Sequence, residues 1–146
     1  MTSYLERLIQ NFADLIEDNE RKKFIIFGSA AIILNGVDLG REPDDLDFFV
    51  SEATFENLSK RFKVKNEAKE IGEIIESLTP LPNVEIYKTF PGVLFDLVSR
   101  NIKLSLKTKG FPLGNLEYLE TWKSTQGRLK DIKDLAKIKE FKEKQK

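Results

Sequence analysis

The chain has 146 residues, no cysteine and no histidine, and 24 basic residues against 24 acidic ones, so its formal net charge is zero. Those absences exclude disulfides, thiolate zinc sites, thiol catalysis and any Ser-His-Asp hydrolase. They leave the chemistry to carboxylates, Lys, Arg, Ser, Thr and Tyr, with or without an oxygen-ligated metal. At 40% hydrophobic and 33% charged, the composition fits one globular domain over residues 1–146 and not a disordered chain. The neutral balance also argues against a simple electrostatic binder of nucleic acid.

In chain order, Tyr4, Leu5, Leu8, Ile9, Phe12, Leu15 and Ile16 fall on one helical stripe that should end near Asp18-Asn19. Lys23 to Phe27 (KFIIF) reads as a short buried strand. Gly28-Ser29 opens a second helix, which Gly36 closes. Asp45 to Val50 (DLDFFV) reads as a strand, and Ser51 as the N-cap of a helix carrying Phe55, Leu58 and Phe62. Phe62 to Val64 is expected as a short strand. Ala68, Ile71, Ile74, Ile75 and Leu78 suggest another amphipathic helix, stopped by Pro80 and Pro82. Val84 to Thr89 and Val93 to Ser99 read as strands around a Pro91-Gly92 turn, and Ile102 to Leu106 as a further strand. The segment from about 114 to 146 is helical, its pattern starting near Leu116 and interrupted near Gly127. Strands interleave with helices, so the expected fold class is α/β or mixed α+β: a mixed sheet flanked by helices, with C-terminal helices.

No stretch approaches the ~20 apolar residues of a membrane span. The opening MTSYLERLIQ lacks the cationic-then-apolar order of a secretion signal. No membrane partner and a cytoplasmic location are therefore expected.

Three features coincide as a candidate site. A buried strand runs into Gly28-Ser29 and a helix, where free N–H groups, a glycine and a hydroxyl suit a phosphate. Asp45 and Asp47 lie two apart at the start of a strand and share a face. Carboxylates so close repel unless a cation sits between them, and hard oxygen donors favour Mg2+ or Mn2+. A third acid in an apolar run, Asp96, is costly to bury unless it joins them; Glu85 in VEIY is the rival for that role.

The stretch FGSAAIILNGVDLGREPDDLDFFV resembles the core of the nucleotidyltransferase superfamily, the DNA polymerase β-like fold. The segment with Arg41, Asp45 and Asp47 is most similar to small bacterial and archaeal members, including toxins of toxin–antitoxin pairs. Leu119-Glu120-Thr121-Trp122-Lys123 through Gly127-Arg128-Leu129-Lys130-Asp131 to Asp134-Leu135 resembles their C-terminal pattern of a Lys, then Arg-x-Lys-Asp, then Asp. The resemblance implies a metal-dependent enzyme that moves a nucleoside monophosphate from a triphosphate to a hydroxyl on a protein, an RNA or a small molecule. Under it, the phosphates lie on Gly28 and Ser29, and Asp45 and Asp47 hold two divalent ions. Asp96 binds the metal that activates the acceptor hydroxyl, or deprotonates that hydroxyl; Lys123, Arg128 and Lys130 neutralise the triphosphate. A catalytically inactive member that binds nucleotide or a partner is the alternative. A nucleic-acid-directed toxin is a further one, with Lys60, Arg61, Lys63 and Lys65 as its basic patch. The nucleotide, the acceptor and the oligomeric state stay open.

Overall fold

The structure, a computed structural model, describes residues 3–68 and 74–145. Helix α1 (Ser3–Ala13) leads through a 3-10 turn (Asp18–Lys23) into strand β1 (Ile25–Phe27), which runs directly into helix α2 (Gly28–Leu34). Strand β2 (Leu46–Phe49) and helix α3 (Glu52–Ser59) follow, then strands β3 (Val64–Ala68), β4 (Ile74–Leu81) and β5 (Val84–Tyr87). Helices α4 (Phe95–Arg100), α5 (Leu116–Gln126) and α6 (Leu129–Lys144) complete the chain. Among the described residues, five strands form one mixed sheet in the order β1-β2-β5-β4-β3, the β2–β5 pair parallel and the other pairs antiparallel. The mixed, helix-flanked sheet and the C-terminal helices agree with the fold class expected from the sequence. Among the described residues no helix is long and apolar enough to cross a membrane.

Strand alternation separates two aromatic clusters, one on each face of the sheet. On one face Phe48 stacks against Phe12 of α1 at 4.7 Å and against Phe111 at 5.0 Å, with Phe24 edge-on at 6.0 Å. On the other, Phe27 and Phe49 meet Phe90 at 4.6 and 5.0 Å, and Trp122 of α5 meets Phe90 at 5.4 Å. Both clusters are buried, so the sheet is covered on both sides. Leu113 bridges to Ile26 and Lys103, and covers the outer edge of β1.

Ser51 caps α3 as expected, its hydroxyl accepting from the Thr54 amide, and Gly127 at φ 64° separates α5 from α6. Several local readings are corrected. The helical stripe of α1 stops at Ala13, short of Asp18-Asn19. The amphipathic helix expected over Ala68 to Leu78 is instead the end of β3 and most of β4; residues 69–73 of that reading lie outside the described residues. The physical reason is two-sided burial. Ile75 and Leu78 both sit in the core, but on opposite faces of a covered strand, and their three-residue spacing imitates a helix. One extra residue between Leu78 and Leu81 also breaks the alternation, in a stretch that contains Pro80, which has no N–H for the ladder. The short strand expected at Phe62 to Val64 starts only at Val64. Val93 to Ser99 is not a strand: α4 satisfies its own backbone, and only Val98 of that helix is fully buried while Leu94 and Leu97 face outward. Ile102 to Leu106 forms no strand beyond the Lys103 bridge.

Because Phe48 is fully buried at the centre of its cluster, Phe48→Ala is expected to cost about 3–5 kcal/mol of folding free energy, read as a lower denaturant midpoint.

Candidate functional site

The parallel β2–β5 pairing places Asp47 directly beside Glu85, and aligned residues of neighbouring strands share a face. Leu46 and Phe48, and likewise Val84 and Ile86, are fully buried on the opposite face, which leaves the acids no choice of direction. Asp45, two residues before Asp47, joins the same side. Asp45, Asp47 and Glu85 each bring a carboxylate oxygen within 4.8 Å of the others, all three half-buried. This acidic triad has the donor chemistry to hold a metal ion. The Tyr87 hydroxyl, two residues along the same strand, donates to Glu85 Oε2.

Asp96 is elsewhere. It is exposed in the first turn of α4 and is not one of the converging carboxylates, so the third acid of the group is Glu85. A strand over the VLFDLV run would bury Asp96; on the helix that forms, the acid turns to solvent and the burial cost disappears.

The triad lines a cleft of about 200 Å³. Ser29, Arg41, Arg128 and Lys130 line it too, with Tyr87, Phe90, Pro91, Trp122 and Gln126. Gly28 stands at the junction of β1 and α2 with φ +71°, and a Cβ there would come within 2.7 Å of Asp47 Oδ2. Glycine is required at this point both by backbone conformation and by the approach of the carboxylate.

Behind Ser29 lies a buried ionic network. Lys123 is fully buried, and its ammonium donates to Asp134 at 2.8 Å, Asp131 at 3.0 Å and Ser29 Oγ at 3.3 Å. All three of its donors are thereby used. Arg128 grips Asp131 through Nε at 2.7 Å and Nη2 at 3.1 Å, and the Asp131 carboxylate also caps α6 by accepting from the Arg128 amide. Arg41 reaches across from the loop before β2 to Asp134 at 2.7 Å and to Ser29 Oγ at 3.3 Å. It does not pair with Glu42 or Asp44. Lys123, one of the expected phosphate ligands, is thus a structural cation away from the cleft lining, whereas Arg128 and Lys130 are on that lining.

Burial by itself would raise the Asp131 carboxyl, but the hydrogen bonds and charges of Arg128 and Lys123 outweigh it and hold the group below the ordinary carboxylate range. Lys130, though exposed as a whole, has its ammonium pushed below the usual lysine value. Partial desolvation is the first cause, followed by the neighbouring charges of Arg128, Lys123 and Arg41, with Asp44 acting the other way. Lys60, Arg61, Lys63 and Lys65 are exposed around the end of α3 and the start of β3 and line no part of the cleft.

Tyr87 and Gln126 line the cleft without having been singled out in the sequence. The VEIY alternation carries a signal for Tyr87, since it places Tyr87 on the face of Glu85. For Gln126 the signal is weaker: it follows Trp122 by one helical turn. Comparison with family models, with curated proteins and with solved structures gave no significant match to this chain.

Gly28→Ala is expected to lower stability by about 1–3 kcal/mol from the left-handed backbone alone. Because the added methyl also meets Asp47, the Asp47→Ala change should cost less in that background than in the natural chain, a non-additivity read from denaturation midpoints. The depressed Asp131 pKa has a definite sign in stability. Its contribution is fully present above the ordinary carboxylate pKa and is lost as pH falls through the lowered folded value. The stability gap between the natural chain and Asp131→Asn should therefore be constant at neutral pH and shrink only below about pH 4, measured by thermal melts across pH.

Proposed function

We propose that the protein is a metal-dependent nucleotidyltransferase that uses this cleft, of the kind its sequence resembles. The observation that carries the reading is that a carboxylate triad and a group of cations line one cleft. The triad is Asp45, Asp47 and Glu85. Arg41, Arg128 and Lys130 are the cations of the lining, with Lys123 behind them in the network with Asp131 and Asp134. A cation-chelated polyphosphate complements both groups at once. The Lys130 pKa is lowered first by desolvation and then by the charges of Arg128, Lys123 and Arg41, and an arriving anion offsets those charges.

Mg2+ or Mn2+ is the cation that three hard carboxylates suit, and when bound it supplies Lewis acidity at a phosphoryl oxygen and at an acceptor hydroxyl. Asp45, immediately before β2, and Asp47 within it would hold it together with Glu85 of β5, whose Oε2 accepts from the Tyr87 hydroxyl. Arg128 and Lys130 bind the phosphates of the nucleoside triphosphate. Ser29 presents its hydroxyl there, already accepting from Lys123 and Arg41, so its own proton is left to donate to a phosphate oxygen. The acceptor oxygen attacks the α-phosphorus, and the bond to the bridging oxygen breaks. Pyrophosphate leaves with that electron pair, and the acceptor proton passes to a carboxylate of the triad or to solvent. Orientation and electrostatics do the catalytic work here.

The test is magnesium-dependent consumption of labelled nucleoside triphosphate by the natural chain and by Asp47→Asn and Glu85→Gln. Each variant should lose roughly a thousandfold in turnover, since several kcal/mol of charge stabilisation depart with the metal. Glu85→Gln should not lower the melting temperature without metal, because it removes a like charge from the triad and keeps an oxygen for the Tyr87 hydroxyl. Turnover equal to the natural chain in both variants sinks the assignment; nucleotide binding with no turnover in the natural chain replaces it with a nucleotide-binding role.

A further inference from the structure

We infer that the nucleobase of the nucleotide is read at the aromatic end of this cleft by the side-chain amide of Gln126 beside the Trp122 indole. The inference rests on the nucleotidyl-transfer reading and specifies which part of the cleft takes the base.

Trp122 and Gln126 lie one turn apart on α5, hence on one face of the helix. Each is only 8% exposed, and each lines the cleft. Neither the Gln126 amide nor the indole N–H makes a hydrogen bond among the described residues. Their polar atoms are not sealed away from solvent but open to the cleft, and an amide offers two donors and an acceptor to whatever occupies it. The other polar groups of the cleft have evident counterparts. The carboxylates suit a cation, and Arg41, Arg128 and Lys130 suit phosphates. The amide and the indole match neither, and they stand beside apolar surfaces, Phe90 and Pro91. A flat heterocycle with a donor and an acceptor on its edge fits that combination, and the amide can contact such an edge through both its groups.

The chain geometry couples this end to the phosphate end. Gly127, at φ 64° with open space where a Cβ would be, turns the backbone between α5 and α6. Gln126 and Arg128 flank it. A residue that reads the base and a residue that binds phosphate thus flank one glycine hinge, as a ligand with a base at one end and phosphates at the other requires.

The experiment is calorimetry on the full chain with Mg2+, using the four ribonucleoside triphosphates and inorganic tripolyphosphate. The natural chain should bind one base at least about tenfold more tightly than the weakest of the four, in line with a two-point amide contact. Gln126→Leu should bring the four within about twofold of one another and leave tripolyphosphate affinity unchanged. Gln126→Glu keeps the shape but removes the donors, and should change the order of preference. A natural preference retained by both variants overturns the inference, as does equal binding of all four by the natural chain. No binding of any triphosphate or of tripolyphosphate overturns the nucleotide reading itself, and this one with it. Binding of tripolyphosphate with no selectivity among bases leaves the nucleotide reading standing and removes only the role of Gln126.

Discussion

Repulsion among Asp45, Asp47 and Glu85 is the constraint on which the rest of the cleft depends. Two like charges about 4 Å apart repel by roughly 1 kcal/mol in water and roughly 4 kcal/mol at the effective dielectric of a protein surface. The sheet enforces this closeness through its hydrophobic face. Leu46, Phe48, Val84 and Ile86 are all fully buried, and turning any acid away from the cleft would turn one of them out of the core. Parallel pairing of β2 with β5 then sets Asp47 beside Glu85. Burial on one face supplies the free energy that holds like charges together on the other.

A second, cation-rich network adjoins the same cleft, and it is coupled to the first through the backbone. Arg41 lies in the loop that delivers Asp45 to β2, and it is tied to Asp134 of α6. Lys123 of α5 joins Asp131 and Asp134 of α6 to Ser29 at the start of α2. The two C-terminal helices therefore hold three parts of the cleft in register: the loop, the start of α2 and the cationic rim. Removing one member of so buried a network leaves the others uncompensated, which makes the network a rigid support and not an adjustable one.

Much of this was legible in the chain, and the exceptions share a cause. β1 running into Gly28-Ser29, the β2 acids, the Ser51 cap and the break at Gly127 all follow from local chemistry: β-branched and aromatic runs, a cap hydroxyl, a glycine. The failures are segments whose apolar residues face two different partners. Ile75 and Leu78 are buried on opposite faces of β4, and their spacing passed for a helical stripe. Leu94 and Leu97 are apolar yet exposed, so the run around Asp96 passed for a buried strand. Hydrophobicity records that a residue is apolar; it does not record which neighbour, if any, covers it.

The sequence by itself determined the chemical repertoire: no sulfur or imidazole ligands, an acid pair two residues apart on a strand, a glycine and a serine at a helix start, and a cationic run near the C-terminus. Tertiary structure decided the company those groups keep. Glu85, not Asp96, completes the carboxylate cluster, and that choice comes from a pairing between strands almost forty residues apart in the chain. Lys123 is consumed by Asp131 and Asp134, whereas Arg128 and Lys130 reach the cleft. Alternation and helical period act over a few residues and can be read locally. Strand order and the partner of a buried charge depend on which distant segments meet, and that is settled only when the whole core packs.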